Sequence, residues 1–190
     1  SPNTRANRSL ANSHITLSNF STNKSDYMTF SLLLDYHEPG FPLLISETDE
    51  SGQSIDPIIS SVDYNNATAI FSASSAGSIY GVSSNGKGLF DDDILEIAQF
   101  PIIEPVKIAL CDTNSNEQSD QIIVAGPSGT LVGYRIGDAN SDGKADTIFT
   151  RDINEKITAA PVVSHPYIYI GTESGNIFRS TYNGQLELIM

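Results

Sequence analysis

The sequence has no tryptophan, two methionines and a single cysteine, and it is poor in basic residues. With Cys111 alone, the chain cannot form an internal disulfide or a zinc site of several thiolates, so we expect a small buried side chain there. No apolar run approaches the roughly 18 residues that a membrane-spanning helix requires, so no membrane insertion is expected. The sequence has 10 Lys and Arg residues and 23 Asp and Glu residues, which gives a net charge of −13. Because such a surface repels phosphates, we expect no nucleic-acid partner.

Motifs of enzyme chemistry are missing as well. The sequence contains no G-x-S-x-G elbow, no phosphate-binding or dinucleotide-binding glycine loop and no H-E-x-x-H. Its histidines, His14, His37 and His165, stand in unrelated contexts, and the acidic run Asp91-Asp92-Asp93 is typical of a solvated loop. We therefore predict that the chain is not an enzyme. A lyase or glycosidase on the same scaffold stays open as an alternative, because a fold does not determine a function.

The sequence is rich instead in short apolar runs of Ile, Val, Phe and Tyr. Clusters of Gly, Asn, Ser and Pro separate these runs, and the 3.6-residue periodicity of amphipathic helices is absent, a pattern that indicates β-strands and turns. We therefore predict an all-β fold. Strands are expected at Ile70–Ser74, Ile79–Val82, Ile122–Ala125, Leu131–Tyr134, Thr147–Thr150, Tyr167–Gly171 and Ile177–Arg179.

The pattern changes near residue 39 and divides the chain into two parts. Residues 1–38 are a polar segment with two strand-like runs, Ile15–Leu17 and Met28–Leu34, and are predicted to form an N-terminal β-hairpin linker. Residues 39–190 repeat a common pattern. The chain opens on Ser1 rather than on Met, which favours a piece of a longer protein, so the missing secretion signal does not argue against export.

Three glycines mark the repeated unit. Gly77, Gly129 and Gly175 each follow a strand-like run that ends in a small residue, and they stand 52 and 46 residues apart. This period fits one four-stranded antiparallel blade of a β-propeller per repeat. The repeats are placed at about 41–95, 96–152 and 153–190. Because propellers use roughly 4–8 blades, we predict a partial β-propeller of about three blades, which an oligomer or a longer parent chain completes.

Short motifs recur in these units: Phe-Pro at 41–42 and 100–101, Pro-Ile-Ile at 57–59, an aspartate-rich loop, and Ile-Ile-Val-Ala-Gly-x-x-Gly at 122–129. In this order they resemble FG-GAP/VCBS-type propeller repeats, and the third unit, from Ala160 to Gly175, is similar to a PQQ-type blade. Residues 15–34 are similar to the β-segment that follows the catalytic domain in some bacterial secreted metallopeptidases. The resemblance implies a bacterial protein at an extracellular, cell-surface or periplasmic location, which binds protein or glycan through its blade loops.

The most specific motif is the run Asp-Ala-Asn-Ser-Asp-Gly-Lys-Ala-Asp at 138–146, here called the calcium loop. Its predicted ligands are the side chains of Asp138, Asn140, Asp142 and Asp146 and the main-chain carbonyl of Lys144. Oxygen donors at this spacing, with Gly143 for a tight turn at position 6, wrap a hard cation, so the loop predicts Ca²⁺ as the cofactor. Position 12 is Phe149 instead of the glutamate of an EF-hand, which favours a calcium loop that closes a β-hairpin. A polar turn without metal is the alternative.

A second run, residues 112–120, lies where VCBS-type repeats have their calcium motif. Its candidate ligands are Asp112, Asn114, Asn116 and Asp120. Glu117 stands where the turn requires glycine, and an amide replaces one carboxylate. This run is therefore the weaker metal candidate, and a solvated loop is the favoured interpretation. The corresponding run in the first repeat, 63–66, has lost more of the pattern and is assigned no metal.

These observations favour a non-catalytic, calcium-binding interaction or scaffold module of a secreted or cell-surface protein. The alternative is an accessory domain of a secreted hydrolase with a metallopeptidase-type parent. A zinc-protease motif upstream in the parent sequence would favour the alternative.

Overall fold

A computed structural model of the chain describes residues 15–18, 31–34 and 58–190. Within those ranges every regular element is a β-strand, and no helix occurs among them. The predicted all-β class is therefore confirmed. The chain divides into two compact units, residues 1–43 and residues 44–190.

The described part of the first unit is an antiparallel pair of strands. β1 (Ile15–Ser18) pairs with β2 (Ser31–Leu34), and Ile15 stands opposite Leu34. Both strands fall in the segment for which the sequence predicts a hairpin. Residues 28–30 of the second predicted strand lie outside the described ranges.

The described part of the second unit contains three four-stranded antiparallel sheets. The first consists of β3 (Ile58–Ser61), β4 (Thr68–Ala73), β5 (Ser78–Ser83) and β6 (Glu96–Gln99). The second consists of β7 (Lys107–Cys111), β8 (Gln121–Ala125), β9 (Thr130–Arg135) and β10 (Asp146–Asp152). The third consists of β11 (Val162–Ser164), β12 (Tyr167–Gly171), β13 (Ile177–Thr181) and β14 (Leu186–Leu188). Strands pair in chain order within each sheet, and every strand predicted from the sequence overlaps one of them.

The fourth strand of the first sheet lies outside the predicted limits of the first repeat. β6 pairs with β5, with Glu96 opposite Tyr80 and Ala98 opposite Ile79. The sequence period places residue 96 at the start of the second repeat instead. The β5–β6 connection spans residues 84–95 and is the longest connection within the three sheets. Because of this length, the spacing of the hairpin glycines does not show that β6 belongs to the first sheet.

The three repeat glycines occupy the same place in the central hairpin of each sheet. Gly77, Gly129 and Gly175 have φ angles of +87°, +97° and +85°. Each N–H donates to the carbonyl three residues earlier, at 3.0–3.1 Å. A positive φ strains a residue that has a Cβ, so the geometry of this turn favours glycine. The glycine spacing in the sequence thus corresponds to one hairpin per sheet.

Two hydrophobic clusters lie on opposite faces of the second sheet. Ile122 and Val124 of β8 belong to the cluster shared with the first sheet, and Ile123 and Ala125 belong to the cluster shared with the third. Successive side chains of a strand point to opposite faces, and all five residues of β8 are buried. The three sheets are therefore stacked face to face, with the second sheet in the middle.

Candidate metal site

The calcium loop joins β9 to β10, and its polar side chains fold back on its own backbone. Asp138 accepts the N–H of Asp142 through Oδ1 and the N–H of Gly143 through Oδ2, both at 2.9 Å. Asn140 Oδ1 accepts the N–H of Asp142 at 3.2 Å, and Asp142 Oδ1 accepts that of Lys144 at 2.9 Å. The side-chain oxygens at positions 1, 3 and 5 are therefore gathered on one short stretch of backbone.

The last aspartate holds the two ends of the loop together. Asp146 Oδ2 accepts the N–H of Ala139 at 3.2 Å. Between them, Ser141 and Gly143 adopt positive φ angles of +60° and +80°. Gly143 thus lies at a left-handed turn, which is the role that the sequence predicts for position 6.

The donor chemistry of the loop suits a hard cation. All its predicted donors are oxygens, which Ca²⁺ and Mg²⁺ prefer, whereas zinc is bound mainly by nitrogen and sulfur. A carboxylate has about four lone-pair sites, so a hydrogen bond from the loop backbone leaves others for an ion. Among the residues that the structure describes, no three His, Cys, Asp or Glu side chains form a cluster fit to hold a metal. Ion binding here would therefore need the amide oxygen of Asn140 and the carbonyl of Lys144 as well as carboxylates.

Position 12 of the loop, where an EF-hand supplies a glutamate, is a core position in this protein. Phe149 is buried in the cluster between the second and third sheets. It packs over Gly133 of the neighbouring strand, where an added Cβ would stand 2.3 Å from the phenyl ring. The loop thus offers five oxygen donors, and water would complete the 6–8 ligands that Ca²⁺ takes.

The calcium loop also contacts the first sheet. The N–H of Ala145 donates to the carbonyl of Ile97 in β6 at 2.8 Å. Lys144 Nζ lies 3.6 Å from Glu96 Oε1, an ion pair near the surface that contributes little by itself. The loop is therefore a junction between β6 and the β9–β10 hairpin.

The weaker candidate loop, between β7 and β8, repeats the same hydrogen-bond pattern. Asp112 accepts the N–H of Asn116 at 3.2 Å through Oδ1 and that of Glu117 at 2.8 Å through Oδ2. Asn114 Oδ1 accepts the N–H of Asn116 at 3.1 Å, and Asn116 Oδ1 accepts that of Gln118 at 2.9 Å. Positions 1, 3 and 5 thus make the same bonds in both loops.

The agreement between the loops extends to the backbone and to position 9. Ser115 and Glu117 have φ angles of +60° and +67°, which match positions 4 and 6 of the calcium loop. Asp120 Oδ1 accepts the N–H of Thr113 at 2.9 Å and closes this loop, as Asp146 closes the calcium loop. Glu117 therefore adopts the turn that glycine adopts in the calcium loop, at a cost of about 1–2 kcal/mol.

Asp63, which the sequence places in a run without metal, contacts the loop 112–120. Its Oδ2 accepts Nδ2 of Asn114 at 3.0 Å and Nδ2 of Asn116 at 3.2 Å. The backbone of Ser119 adds two bonds, one to the carbonyl of Ser61 at 2.8 Å and one from the N–H of Asp63 at 3.0 Å. The first sheet thus holds this loop, and no sequence spacing could signal the contact.

Two glutamates that the sequence analysis missed hold the central hairpins of the second and third sheets. Glu155 accepts side-chain hydrogen bonds from three residues of the β12–β13 hairpin, Ser174, Thr172 and Asn176. These bonds, that of Ser174 first, lower the pKa of Glu155. Glu104 accepts the hydroxyl and the N–H of Ser128 at 2.6 and 3.1 Å. The two glutamates share a sequence feature that could have identified them: each stands two residues before a buried aliphatic residue, Glu104 before Val106 and Glu155 before Ile157.

The remaining candidate side chains differ in burial, and several of them lie outside the described residues. Cys111 is buried and unpaired, as predicted, and burial raises its pKa to about 12, so it is a poor nucleophile at neutral pH. Burial also raises the pKa of Tyr134 to about 12, and its hydroxyl donates to the carbonyl of Gln99 at 2.9 Å. His165 Nδ1 lies 3.2 Å from the hydroxyl of Tyr182. His14, His37, the Phe-Pro motif at 41–42 and the proline at 57 of the Pro-Ile-Ile motif lie outside the described ranges.

No model of a known protein family matches the chain, and no curated protein matches it either. The likeness to FG-GAP/VCBS-type repeats therefore stays a prediction from the sequence motifs. In the part of the chain that the structure describes, no helix is long and apolar enough to cross a membrane.

Proposed function

We propose that the chain is a non-catalytic module of a bacterial secreted or cell-surface protein, which binds Ca²⁺ and serves as a scaffold or interaction surface. The observation that carries the proposal is the geometry of the calcium loop. Asp138, Asn140 and Asp142 fold their oxygens onto one turn, and Gly143 supplies the left-handed backbone of that turn. A loop with this arrangement of oxygens suits a hard divalent cation.

In the proposed site the ion is held by the side chains of Asp138, Asn140, Asp142 and Asp146 and by the carbonyl of Lys144. Its two positive charges would offset the repulsion among the three carboxylates of this short loop. Because the loop joins β9 to β10 and Ala145 donates to β6, ion binding would stabilise the hairpin and its contact with the first sheet. The loop 112–120 has one carboxylate fewer at its ligand positions and is proposed as the weaker site.

The composition of the donor set supports the proposed location. Two of its five donors are uncharged, and it lacks the bidentate glutamate that strengthens an EF-hand. Such a site belongs with weak calcium sites, with Kd values of about 10⁻⁴–10⁻³ M, which are typical of extracellular modules. An extracellular, cell-surface or periplasmic location would supply calcium at the concentrations that this loop needs.

The proposed scaffold is a partial β-propeller. Three four-stranded antiparallel sheets, each built in chain order and stacked face to face, support this arrangement. Propellers use roughly 4–8 blades, so further sheets from an oligomer or a longer parent chain would close the ring. Protein or glycan partners would then bind the loops at the ends of the sheets.

Calorimetric titration with Ca²⁺ and thermal melting in calcium and in chelator test the calcium function. We expect saturable binding and a higher Tm in calcium, and Asp142→Ala should remove most of that rise. Glu173→Ala deletes one carboxylate from an exposed site in the third sheet and is the matched control, which should keep the calcium response. Identical melting of the wild-type protein in calcium and in chelator, without a heat of binding, would contradict the proposal.

A second candidate function is an accessory domain of a secreted hydrolase of the metallopeptidase type. The observation in its favour is that β1 and β2 belong to a separate unit and fall in the segment that resembles a metallopeptidase linker. The parent gene decides between the two functions. A zinc-protease motif upstream of this chain supports the accessory domain, and a parent gene without one contradicts it.

A further inference from the structure

A groove opens beside the β8–β9 hairpin, between the second sheet and the segment 156–158 that leads into the third sheet. Its volume is about 370 Å³, within the roughly 300–1,000 Å³ of small-ligand sites. The start of β7 with the two residues before it, the end of β8, the hairpin and the segment 156–158 form its walls. No residue of either candidate metal loop lines it, so the groove is a separate feature of the molecule.

The lining of the groove is mostly apolar. Val106, Ala125 and Ile157 are 0%, 2% and 4% exposed and form its buried part. The first belongs to the cluster between the first and second sheets, and the other two belong to the cluster between the second and third. Pro105 and Pro127 add further carbon surface, and a proline has no N–H to offer a ligand. The apolar part of a ligand would therefore leave water in this groove.

The polar side chains of the lining are cations and one hydroxyl, and all of them are exposed. They are Lys107, Lys156 and Thr158. Lys156 Nζ lies 2.7 Å from Glu173 Oε1. Among the described residues, four cationic side chains form ion pairs with carboxylates, and Lys107 is not one of them. An ammonium group has three donors and no acceptor, so the rim suits a ligand that carries an anionic oxygen.

The acidic residues that precede the two lysines are directed elsewhere. Glu104 accepts the hydroxyl and the N–H of Ser128, and Glu155 accepts the side chains of the β12–β13 hairpin. Neither glutamate lines the groove. Because the whole chain has a net charge of −13, it repels a ligand with many negative charges. The local lysines therefore favour a ligand with a single negative charge.

We propose that this groove binds a small organic acid. The apolar body of the acid lies on Val106, Ala125 and Ile157, and its carboxylate accepts hydrogen bonds from Lys107 and Lys156. Hydrogen bonds already fix both walls. Glu104 holds the hairpin, and the Lys156 carbonyl accepts the N–H of Glu173 at 2.9 Å. Binding therefore requires little ordering of the protein. The inference goes beyond the proposed function and does not depend on calcium.

Titration of the isotope-labelled protein with octanoate, followed by amide NMR in chelator, tests the site. We expect saturable shifts at the amides of Lys107, Ala125 and Thr158, with a Kd of roughly 1 mM. Each CH₂ added between hexanoate and octanoate should strengthen binding by up to about fourfold, because the chain lies on apolar surface. Octylammonium has the same chain and the opposite charge, and it should not bind. Equal binding of octylammonium, or no saturation by octanoate up to roughly 10 mM, overturns the proposal.

Three variants test the assigned lysines. Lys107→Gln should weaken octanoate binding by about tenfold, because it removes a charged donor. Glu173→Gln should strengthen binding by about twofold, because it frees Lys156 from a competing surface ion pair. Lys87→Gln removes one charge from an exposed lysine of the β5–β6 connection and is the matched control, which should bind as the wild-type protein does. Unchanged affinity in Lys107→Gln overturns the assignment.

The same spectra distinguish other occupants of the groove. A capped peptide with one glutamate between two leucines that shifts these amides, when octanoate does not, overturns the small acid in favour of a protein segment. Shifts of these amides with protein concentration alone indicate a second copy of the chain and overturn it as well. If octanoate fails and the calcium response of the melting temperature remains, the proposed function stands and only this inference fails.

Discussion

The loops 112–120 and 138–146 make the same backbone hydrogen bonds with different side chains. In each, one aspartate accepts two N–H groups, and the residues at positions 3 and 5 accept one each. The ligand sets differ at position 5, Asn116 against Asp142, and the turns differ at position 6, Glu117 against Gly143. The comparison teaches that oxygens at positions 1, 3 and 5 set the loop conformation, whether they are carboxylate or amide oxygens. The charge needed for a cation is a separate property, which position 5 changes.

The asparagine side chains of the two loops also have different hydrogen-bond partners. In the loop 112–120, both asparagine side-chain amides donate to Asp63, which lies in the connection between β3 and β4. In the calcium loop, the Asn140 amide donates instead to Asp142 Oδ2 at 2.9 Å, within the loop itself. One loop is therefore tied to a neighbouring carboxylate through its side chains, whereas in the other the asparagine amide bonds within the loop. This difference supports the proposal that the calcium loop is the stronger ion site and the loop 112–120 the weaker one.

The most severe test of the comparison removes position 1. In chelator, Asp112→Ala and Asp138→Ala should each lower the free energy of unfolding by about 3 kcal/mol, because each aspartate accepts two N–H groups and a hydrogen bond to a charged group contributes about 1.5–3 kcal/mol. Asp→Asn at either position keeps one acceptor and should cost about half as much. Urea unfolding measures both losses. If only one of the two loops responds, the loops do not share a conformational rule.

Exchanging positions 5 and 6 should exchange the calcium response. Asn116→Asp combined with Glu117→Gly gives the loop 112–120 the missing carboxylate and glycine. Asp142→Asn combined with Gly143→Glu removes them from the other loop. At calcium tenfold above Kd, the first pair should add about 1.4 kcal/mol of calcium-dependent stability, and the second should remove a similar amount.

Urea unfolding with and without calcium measures this exchange, and Glu173→Gln in the third sheet is the control for a change of charge alone. A calcium response that remains in the calcium loop after Asp142→Asn and Gly143→Glu would place the ion elsewhere.

Local features of the fold are predictable from the sequence because they are decided locally. The strand at 167–171 alternates apolar side chains between its two faces, and Gly175 marks the turn after it through its positive φ. The calcium loop is predictable for the same reason, since Asp138 and Gly143 lie five residues apart and meet within one turn. Calcium binding itself stays a prediction.

Contacts between sheets are not predictable in this way. Asp63 reaches Asn114 only because the first sheet stacks on the second, and the sequence places these residues far apart. Glu117 shows a different limit. The preference for glycine at a positive φ is about 1–2 kcal/mol, and the two hydrogen bonds to Asp112 exceed it. The requirement for glycine at position 6 therefore ranks the loop 112–120 as the weaker candidate. It does not predict that this loop keeps the same backbone conformation as the calcium loop.

Position 6 alone should give a smaller effect than position 1. Glu117→Gly should raise the free energy of unfolding by about 1 kcal/mol in chelator, because glycine adopts the positive φ without strain. Gly143→Ala should lower it by a similar amount. Thermal or urea unfolding of both variants measures the pair. A loss of stability in Glu117→Gly would show that the glutamate side chain makes a contact that offsets its strained backbone.

The smallest expected effect concerns a carboxylate that side chains alone satisfy, outside both loops. Hydrogen bonds from Ser174, Thr172 and Asn176 lower the pKa of Glu155 below its ordinary value of 4.5. A lowered pKa in the folded state means that the ionised form stabilises the fold above pH 4.5, and that this contribution is lost as the pH falls through the folded-state pKa.

Glu155→Gln, which cannot ionise, should therefore be less stable than the wild-type protein at neutral pH, and the difference should shrink on acidification. Unfolding free energies in chelator, measured from pH 7 down to about pH 3, give the difference directly. Glu173→Gln is the matched control, because Glu173 lies on the same hairpin and pairs with Lys156 at an exposed site. Equal pH dependence in the wild-type protein and Glu155→Gln would show that the hairpin does not depend on the charge of Glu155. A difference that shrinks on acidification for Glu155→Gln and not for Glu173→Gln would show that the charge of Glu155 stabilises its hairpin through the three side-chain donors.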